Sequence, residues 1–228
     1  RTQNKHAKMP KILRILNRFN LGGPTYNAAY LTKYMSSDFE TLLVGGVKDE
    51  SEDSSEYILE KLGINPIIIP EMRRSINPVN DIKAFQKIVR IIKDYKPDIV
   101  HTHASKAGTI GRLAALRCKV PVIVHTFHGH VFHSYFGSYK TELIKSIEQG
   151  LAKRSSKIIA ISNSQKYELT EKYHITHPDK IQVIPLGFDL ERFRENTNEK
   201  RKAFRQKYRI QDDEIAIGIV GRLVPVKN

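Results

Sequence analysis

Short β-branched runs alternate with segments of helical period from about residue 12 to residue 185, and this alternation narrows the possible folds more than any other feature. Residues 12–19 read as a first strand, followed by the turn Asn20-Leu-Gly-Gly-Pro24 and a helix to about Met35. Further strands are predicted at 41–47, 64–70, 99–103, 122–127, 157–161 and 181–185. The acidic stretch 49–60 leads into a helix that stops near Gly63. In 79–96, Ile82, Phe85, Ile88, Val89 and Ile92 share one helical face, as do Leu143, Ile147 and Leu151 later on. Ser105 is placed to cap the helix after the fourth strand, and 164–173 form one more helix. Strands and helices alternating at these spacings demand parallel βαβ units with right-handed crossovers. The expected fold is a doubly wound, Rossmann-like α/β domain with a parallel sheet, in which the run Ile67-Ile-Ile69 is covered on both faces.

The pattern changes after residue 198. Residues 200–209 form a basic helix, 211–213 a polar turn, and 215–220 an apolar run that reads as a new buried strand. A lone strand cannot cover its own sides, so 215–220 either joins the preceding sheet or opens another domain, and the second is expected. The organisation is then a basic tail at 1–10, a Rossmann-like domain at 11–198, a linker helix at 199–213 and the start of a further, truncated domain at 214–228.

The formal net charge of +14 is concentrated in two places. Residues 1–18 hold six Lys or Arg and no acid, and 191–209 hold eight basic against three acidic residues. Such charge attracts anions: phosphates, an anionic membrane surface or nucleic acid. No Lys/Arg-Gly-Phe stacking signature and no zinc-finger spacing accompanies it, so nucleic acid is not expected as a partner. The only cysteine, Cys118, excludes an internal disulfide framework and fits a small filler at a helix end. No apolar run approaches the ~18–20 residues needed to span a bilayer, and the polar, basic start carries no secretory signal. A cytoplasmic protein, peripheral at the inner membrane face, is the expectation.

In open parallel sheets, ligands bind beyond the carboxyl ends of the strands. That rim holds Gly22-Gly23, His101, His103, His128, His130, Ser162, Asn163 and Gly187. Gly22-Gly23-Pro24 either lets the backbone approach an anion at a helix amino end or serves turn geometry alone. It matches neither the dinucleotide pattern Gly-x-Gly-x-x-Gly nor a P-loop, which argues against a nicotinamide oxidoreductase. In His125-Thr-Phe-His-Gly-His130, each imidazole is either a partner for a sugar hydroxyl or phosphate oxygen, or a satisfied core group. No carboxylate lies near enough to suggest a metal, and none is expected. The aromatic run Val131-Phe-His-Ser-Tyr-Phe136, beside Lys140 and Lys145, suits either a lipid headgroup region or packing on the sheet. In Gly221-Arg-Leu-Val-Pro-Val-Lys227, Arg222 and Lys227 make either a diphosphate clamp or a solvated pair.

Six segments in this order resemble glycosyltransferase family four: Gly22-Gly23, Asp98-Ile-Val-His-Thr-His103 with Ser105-Lys-Ala-Gly108, Thr126-Phe-His-Gly129, Ile159-Ala-Ile-Ser162, Val183-Ile-Pro-Leu-Gly-Phe-Asp189 and Gly221-Arg-Leu-Val-Pro-Val-Lys227. The resemblance runs from about residue 11 to 228 and implies the acceptor-binding, N-terminal half of a retaining GT-B enzyme. The implied reaction moves a hexose from a nucleotide-diphosphate sugar to an acceptor without a metal or other cofactor. By the resemblance, His128 lies at the reaction centre, Gly22 and Gly23 near the donor, and Arg222 and Lys227 on the diphosphate. Asn20, Thr25, His103, Lys106 and His130 fall on the acceptor side. The basic charge and the histidine-rich strand ends suit a carbohydrate or lipid-linked acceptor. Where the family often has an acidic residue after the double glycine, this chain has Thr25-Tyr-Asn27. The carboxylate pair of the family's second domain is absent, so the chain is expected to fold without turning over. A sugar-nucleotide epimerase of GT-B fold and a non-catalytic basic binding module are the rival readings.

Overall fold

The structure is a computed structural model that describes residues 8–50, 52–129 and 138–221. His130, the aromatic run at 131–136, Arg222 and Lys227 lie outside the described residues. Seven strands, β1 (Lys11–Arg18), β2 (Glu40–Gly46), β3 (Ile67–Ile68), β4 (Ile99–His103), β5 (Val122–Phe127), β6 (Lys157–Ala160) and β7 (Ile181–Val183), pair in parallel in the order β3-β2-β1-β4-β5-β6-β7. Around them run α1 (Gly23–Lys33), α2 (Glu56–Lys61), α3 (Pro78–Tyr95), α4 (Ser105–Arg117), α5 (Ser138–Arg154) and α6 (Asn163–Tyr167), the last continued by a π turn, Glu168–Lys172. This is the doubly wound, Rossmann-like sheet that the alternation predicts.

Period-two alternation in β1 divides the core. Leu16 packs with Phe19, Leu43, Ala28 and Ala29 of α1 and Ile58 and Leu59 of α2. Leu13 and Ile15 pack on the opposite face with Val44, Val100, Ile88 and Ile92 of α3 and Ala107 and Ala114 of α4. A third cluster joins Phe127, Ile158, Ala160 and Ile181 to Ala152 of α5 and Leu169.

Helix α4 lies unusually close to the sheet because two of its positions lack a side chain. A Cβ on Gly108 would stand 2.4 Å from Cε1 of His125, and one on Gly111 would stand 2.7 Å from Cγ2 of Thr102. One turn on, Arg112 Nε donates to the Gly108 carbonyl at 2.8 Å, and Nη2 pairs with Glu148 Oε2 of α5 at 2.6 Å. Both side chains of this pair are at most 1% exposed. Inside a protein such a pair is tolerated only while both charges are present.

Several local expectations change. β3 is an edge strand of two residues with both side chains exposed, so its apolar run is not covered on both faces. Ile82, Leu143 and Ile147 are exposed, and the buried stripe of α3 runs through Ala84, Ile88 and Ile92. Alanine counts little in a hydrophobic periodicity, yet Ala84 is fully buried in this helix's core face. Ser105 is the first residue of α4, and the capping position is Ala104, with no side-chain cap. The helix expected after the acidic stretch is present as α2, which ends at Lys61, close to Gly63.

Residues Phe188–Asn228 form a second unit. It contains α7 (Glu191–Arg194) and the basic α8 (Thr197–Tyr208), whose Arg205 is buried and donates to the Glu214 carbonyl at 3.0 Å. Residues 215–220 carry no strand, and Ile215, Ile217 and Ile219 are each at least 89% exposed.

Replacing Glu148 with Ala strands the Arg112 charge and should cost ~3–5 kcal/mol in urea unfolding. The double replacement Arg112→Met with Glu148→Leu should recover most of that loss, and equal losses in the two proteins would contradict a pair held together by mutual neutralisation.

Candidate active site at the strand-order reversal

The sheet reverses its strand order between β1 and β4, so the turns after these two strands lead to opposite faces and open a crevice at their carboxyl ends. Each turn feeds a helix whose amino end lacks a side-chain cap and an acidic residue in its first turn. The helix dipoles there favour an anion, although in α1 Pro24 has no N–H and those of Thr25 and Tyr26 donate to the Gly22 carbonyl, which leaves the Gly23 N–H.

On the β1 side, Gly22 has φ 172°, extended backbone open to any residue. A Cβ on Gly22 would make only ordinary contacts, and one on Gly23 would have no atom within 4 Å. Local geometry therefore does not require the second glycine, whose missing side chain leaves open space. Asn20 and Thr25 shape this turn from within. The buried Thr25 hydroxyl donates to the Asn20 carbonyl at 2.8 Å, and Asn20 Nδ2 donates to Glu52 Oε1 at 3.3 Å. Glu52 is also held by Arg18, Nε to Oε2 at 2.6 Å, and that hydrogen bond lowers its pKa. Glu52 is a rim residue that sequence reasoning missed, because nothing distinguishes it within a run of acids.

On the β4 side, backbone strain marks the turn. Ala104 has φ 66° and ψ 161°, a region occupied essentially by glycine alone and costing ~1–3 kcal/mol otherwise. It stands between His103 and the first turn of α4. Lys106 is occupied by other partners: its ammonium donates to the carbonyls of Arg73 and Ser75 and pairs with Asp81.

Four histidines gather along β4 and the end of β5. His103 Nδ1 lies 2.9 Å from His128 Nε2, with the rings stacked at 5.2 Å between centroids. His101 lies against His103 at 4.2 Å and its Nε2 meets Thr126 Oγ1 at 2.8 Å. On the other face, His125 Nδ1 meets Thr102 Oγ1 at 2.8 Å. Burial, helped by the Arg14 charge, lowers the pKa of His101 to about 3, and burial alone lowers that of His128 to about 4. Desolvation also holds His103 and His125 well below the ordinary value, with His101 and Arg112 respectively adding to it. All four are thus neutral at neutral pH. Arg14, fully buried in β1 opposite His101, donates to the Leu31 carbonyl at 2.9 Å, and burial lowers its pKa to about 10. Among the described residues, no group of three or more His, Cys, Asp or Glu is arranged to hold a metal ion.

The model of glycosyltransferase family 4 matches residues 22–192, from the double glycine through the last strand of the sheet. The chain belongs to that family. It is 34% identical, over 78% of its length and 45% of the relative's, to UDP-Gal:alpha-D-GlcNAc-diphosphoundecaprenol alpha-1,3-galactosyltransferase of Escherichia coli. In fold this family-4 chain is similar to a glycosyltransferase of Rickettsia africae, with a TM-score of 0.66 at 24% identity over 91% of this chain and 51% of that one. It is also similar to UDP-GlcNAc 2-epimerase of Neisseria meningitidis, with a TM-score of 0.58 at 15% identity over 89% and 54%. The fold is thus that of the N-terminal domain in GT-B glycosyltransferases, and the chain spans about half the length of these relatives.

Two outcomes follow from the site's physics. The unfolded chain's histidines titrate near ~6.5, so below that pH the unfolded state binds more protons than the folded one. Stability should be complete above about pH 7 and fall below about pH 6.5, by up to ~1.4 kcal/mol per pH unit for each histidine. Urea unfolding as a function of pH checks this, and a flat profile down to about pH 5 would contradict it. Separately, Ala104→Gly should raise the unfolding free energy by about 1 kcal/mol or more, because it relieves the strained φ. A loss of stability there would show that the turn carries no strain.

Proposed function

We propose that this family-4 chain is the acceptor-side half of a retaining glycosyltransferase that moves a hexose from a nucleotide-diphosphate sugar to a lipid-linked, polysaccharide-related acceptor. The observation that carries the proposal is the crevice itself: two uncapped helix amino ends, the open space at Gly23, and the His103–His128 pair at one strand-order reversal. Cleavage of a sugar–diphosphate bond leaves negative charge on the departing phosphates, and fixed donors aimed at that charge stabilise the transition state. In this reading the amino ends of α1 and α4 face the anionic part of the substrates, and Arg222 and Lys227 hold the diphosphate without need of a metal. His128 contacts the transferred sugar. Residues 214–228 open the domain that binds the nucleotide.

The Escherichia coli relative supplies the substrate class: UDP-Gal as donor and a diphosphoundecaprenol-linked GlcNAc as acceptor. No helix among the described residues is long and apolar enough to cross a membrane. Contact with a lipid-linked acceptor is proposed at the inner membrane surface, where the basic residues of α8 would meet anionic headgroups.

The test is nucleotide release from UDP-, GDP- and ADP-sugars by the protein that carries this chain, with and without diphosphoundecaprenol-linked GlcNAc. Release should require one donor and the lipid acceptor, and the product should keep the donor's anomeric configuration. Gly23→Leu should remove at least ~90% of the release while changing stability by less than about 1 kcal/mol, since the fold makes no demand on that position. An epimerised nucleotide sugar formed without acceptor would move the reading to the epimerases. No turnover with any donor, with anionic vesicles still bound, would favour a binding module.

A further inference from the structure

The hydrogen bond between His103 Nδ1 and His128 Nε2 holds a second layer of information, because two neutral imidazoles share such a contact only if one donates and the other accepts. The choice depends on where His103 carries its proton. Its other nitrogen, Nε2, is buried and has no hydrogen-bond partner among the described residues. β4 lies between β1 and β5 in the sheet. A ring that gives Nδ1 to the residue after β5 therefore turns Nε2 away from β5, towards the β1 side.

Arg14 stands on that side. It is paired with His101 in the β1–β4 ladder, is fully buried, and its charge acts on both His101 and His103. Its Nε and Nη1 are buried and also lack partners among the described residues. A guanidinium offers donors only and cannot accept a hydrogen bond. A neutral imidazole buried within the field of that charge is more stable with a lone pair turned towards it than with an N–H. That places the His103 proton on Nδ1, from which it is donated to His128 Nε2. The His128 proton must then sit on its own Nδ1.

We infer that Arg14 and His103 are positioning residues that fix His128 as its Nδ1–H tautomer, so that His128 holds a donor ready for a hydroxyl or phosphoryl oxygen of a bound substrate. The Nδ1 of His128 is itself buried and unpartnered among the described residues. A buried N–H without an acceptor is costly, and a ligand oxygen or an ordered water relieves that cost. The part of the inference that concerns a ligand rests on the transferase reading, whereas the tautomer does not.

The test is a two-bond proton–nitrogen correlation spectrum of the chain labelled with 15N-histidine at neutral pH, in which the pattern of ring cross-peaks distinguishes the two tautomers. His103→Asn and His128→Asn assign the signals. Both histidines should appear as Nδ1–H forms, and an Nε2–H pattern for His128 would overturn the inference. Arg14→Gln, whose amide can accept as well as donate, should bring in a second, Nε2–H set of His128 signals, while Arg14→Lys should keep the original pattern. A folded Arg14→Gln protein with a single Nδ1–H pattern would remove Arg14 from the mechanism. If Arg14→Gln does not fold, an Nε2–H pattern for His128 in Arg14→Lys would do the same. In the protein that carries this chain, titration with UDP-sugars should shift the His128 signals, and no shift with the tautomer intact would overturn only the role towards a ligand.

Discussion

The pairing of β1 with β2 on one side and β4 on the other is the constraint on which the rest of the first unit depends. Parallel strands need crossovers, and right-handed crossovers put the helices before and after the reversal on opposite faces. Hence α1 and α2 cover Leu16 and Leu43, while α3 and α4 cover Leu13 and Ile15. Register matters as much as order. A slip of one residue would turn every β1 side chain to the other face, placing Arg14 in the aliphatic core under α3 and α4 and Leu13 among the imidazoles. The location of the crevice and its chemistry thus depend on a single ladder.

The two faces of the central strands deal with polarity in different ways. Behind the sheet, Arg112 and Glu148 neutralise each other, and Thr102 engages Nδ1 of His125. In front, Arg14 has no carboxylate partner among the described residues and shares the face of imidazoles that burial keeps uncharged. The first arrangement serves packing, with Arg112 Nη1 and His125 Nε2 left without a partner among the described residues. The second also leaves buried hydrogen-bonding atoms unused, and such atoms are rare enough in folded proteins to call for an explanation. Together with the strained Ala104, they concentrate local cost along the same strand end, as is common where a fold serves a ligand.

The sheet was legible because strands β1, β2, β4, β5 and β6 are short β-branched runs separated by helix-length segments. The double glycine and the His128 turn could be placed at the rim for the same reason: strand ends are readable, and ligands lie beyond them. What could not be read depends on contacts distant in sequence. Arg14 sits in Lys-Ile-Leu-Arg-Ile-Leu and looks like a solvated residue until β4 supplies the histidine opposite it. The pairing of His103 with His128 spans 25 positions and needs the β4–β5 register. Lys106 looks free at a helix start, yet the loop carbonyls of Arg73 and Ser75 claim it. Ala104 gives no sign of its backbone angle, since that position is one where glycine would be expected.

The ends of the sheet carry a consequence for the chain's behaviour among its own copies. An exposed strand edge is a template on which another chain can add a strand. Here the two outermost strands, β3 and β7, are two and three residues long. A visiting strand would find only a short row of free N–H and C=O groups at either margin. The central ladders, β1–β2 and β1–β4, lie inside the sheet. The exposed isoleucines of β3 are therefore sticky only as side chains, and the sheet stops before it can be extended into a fibre.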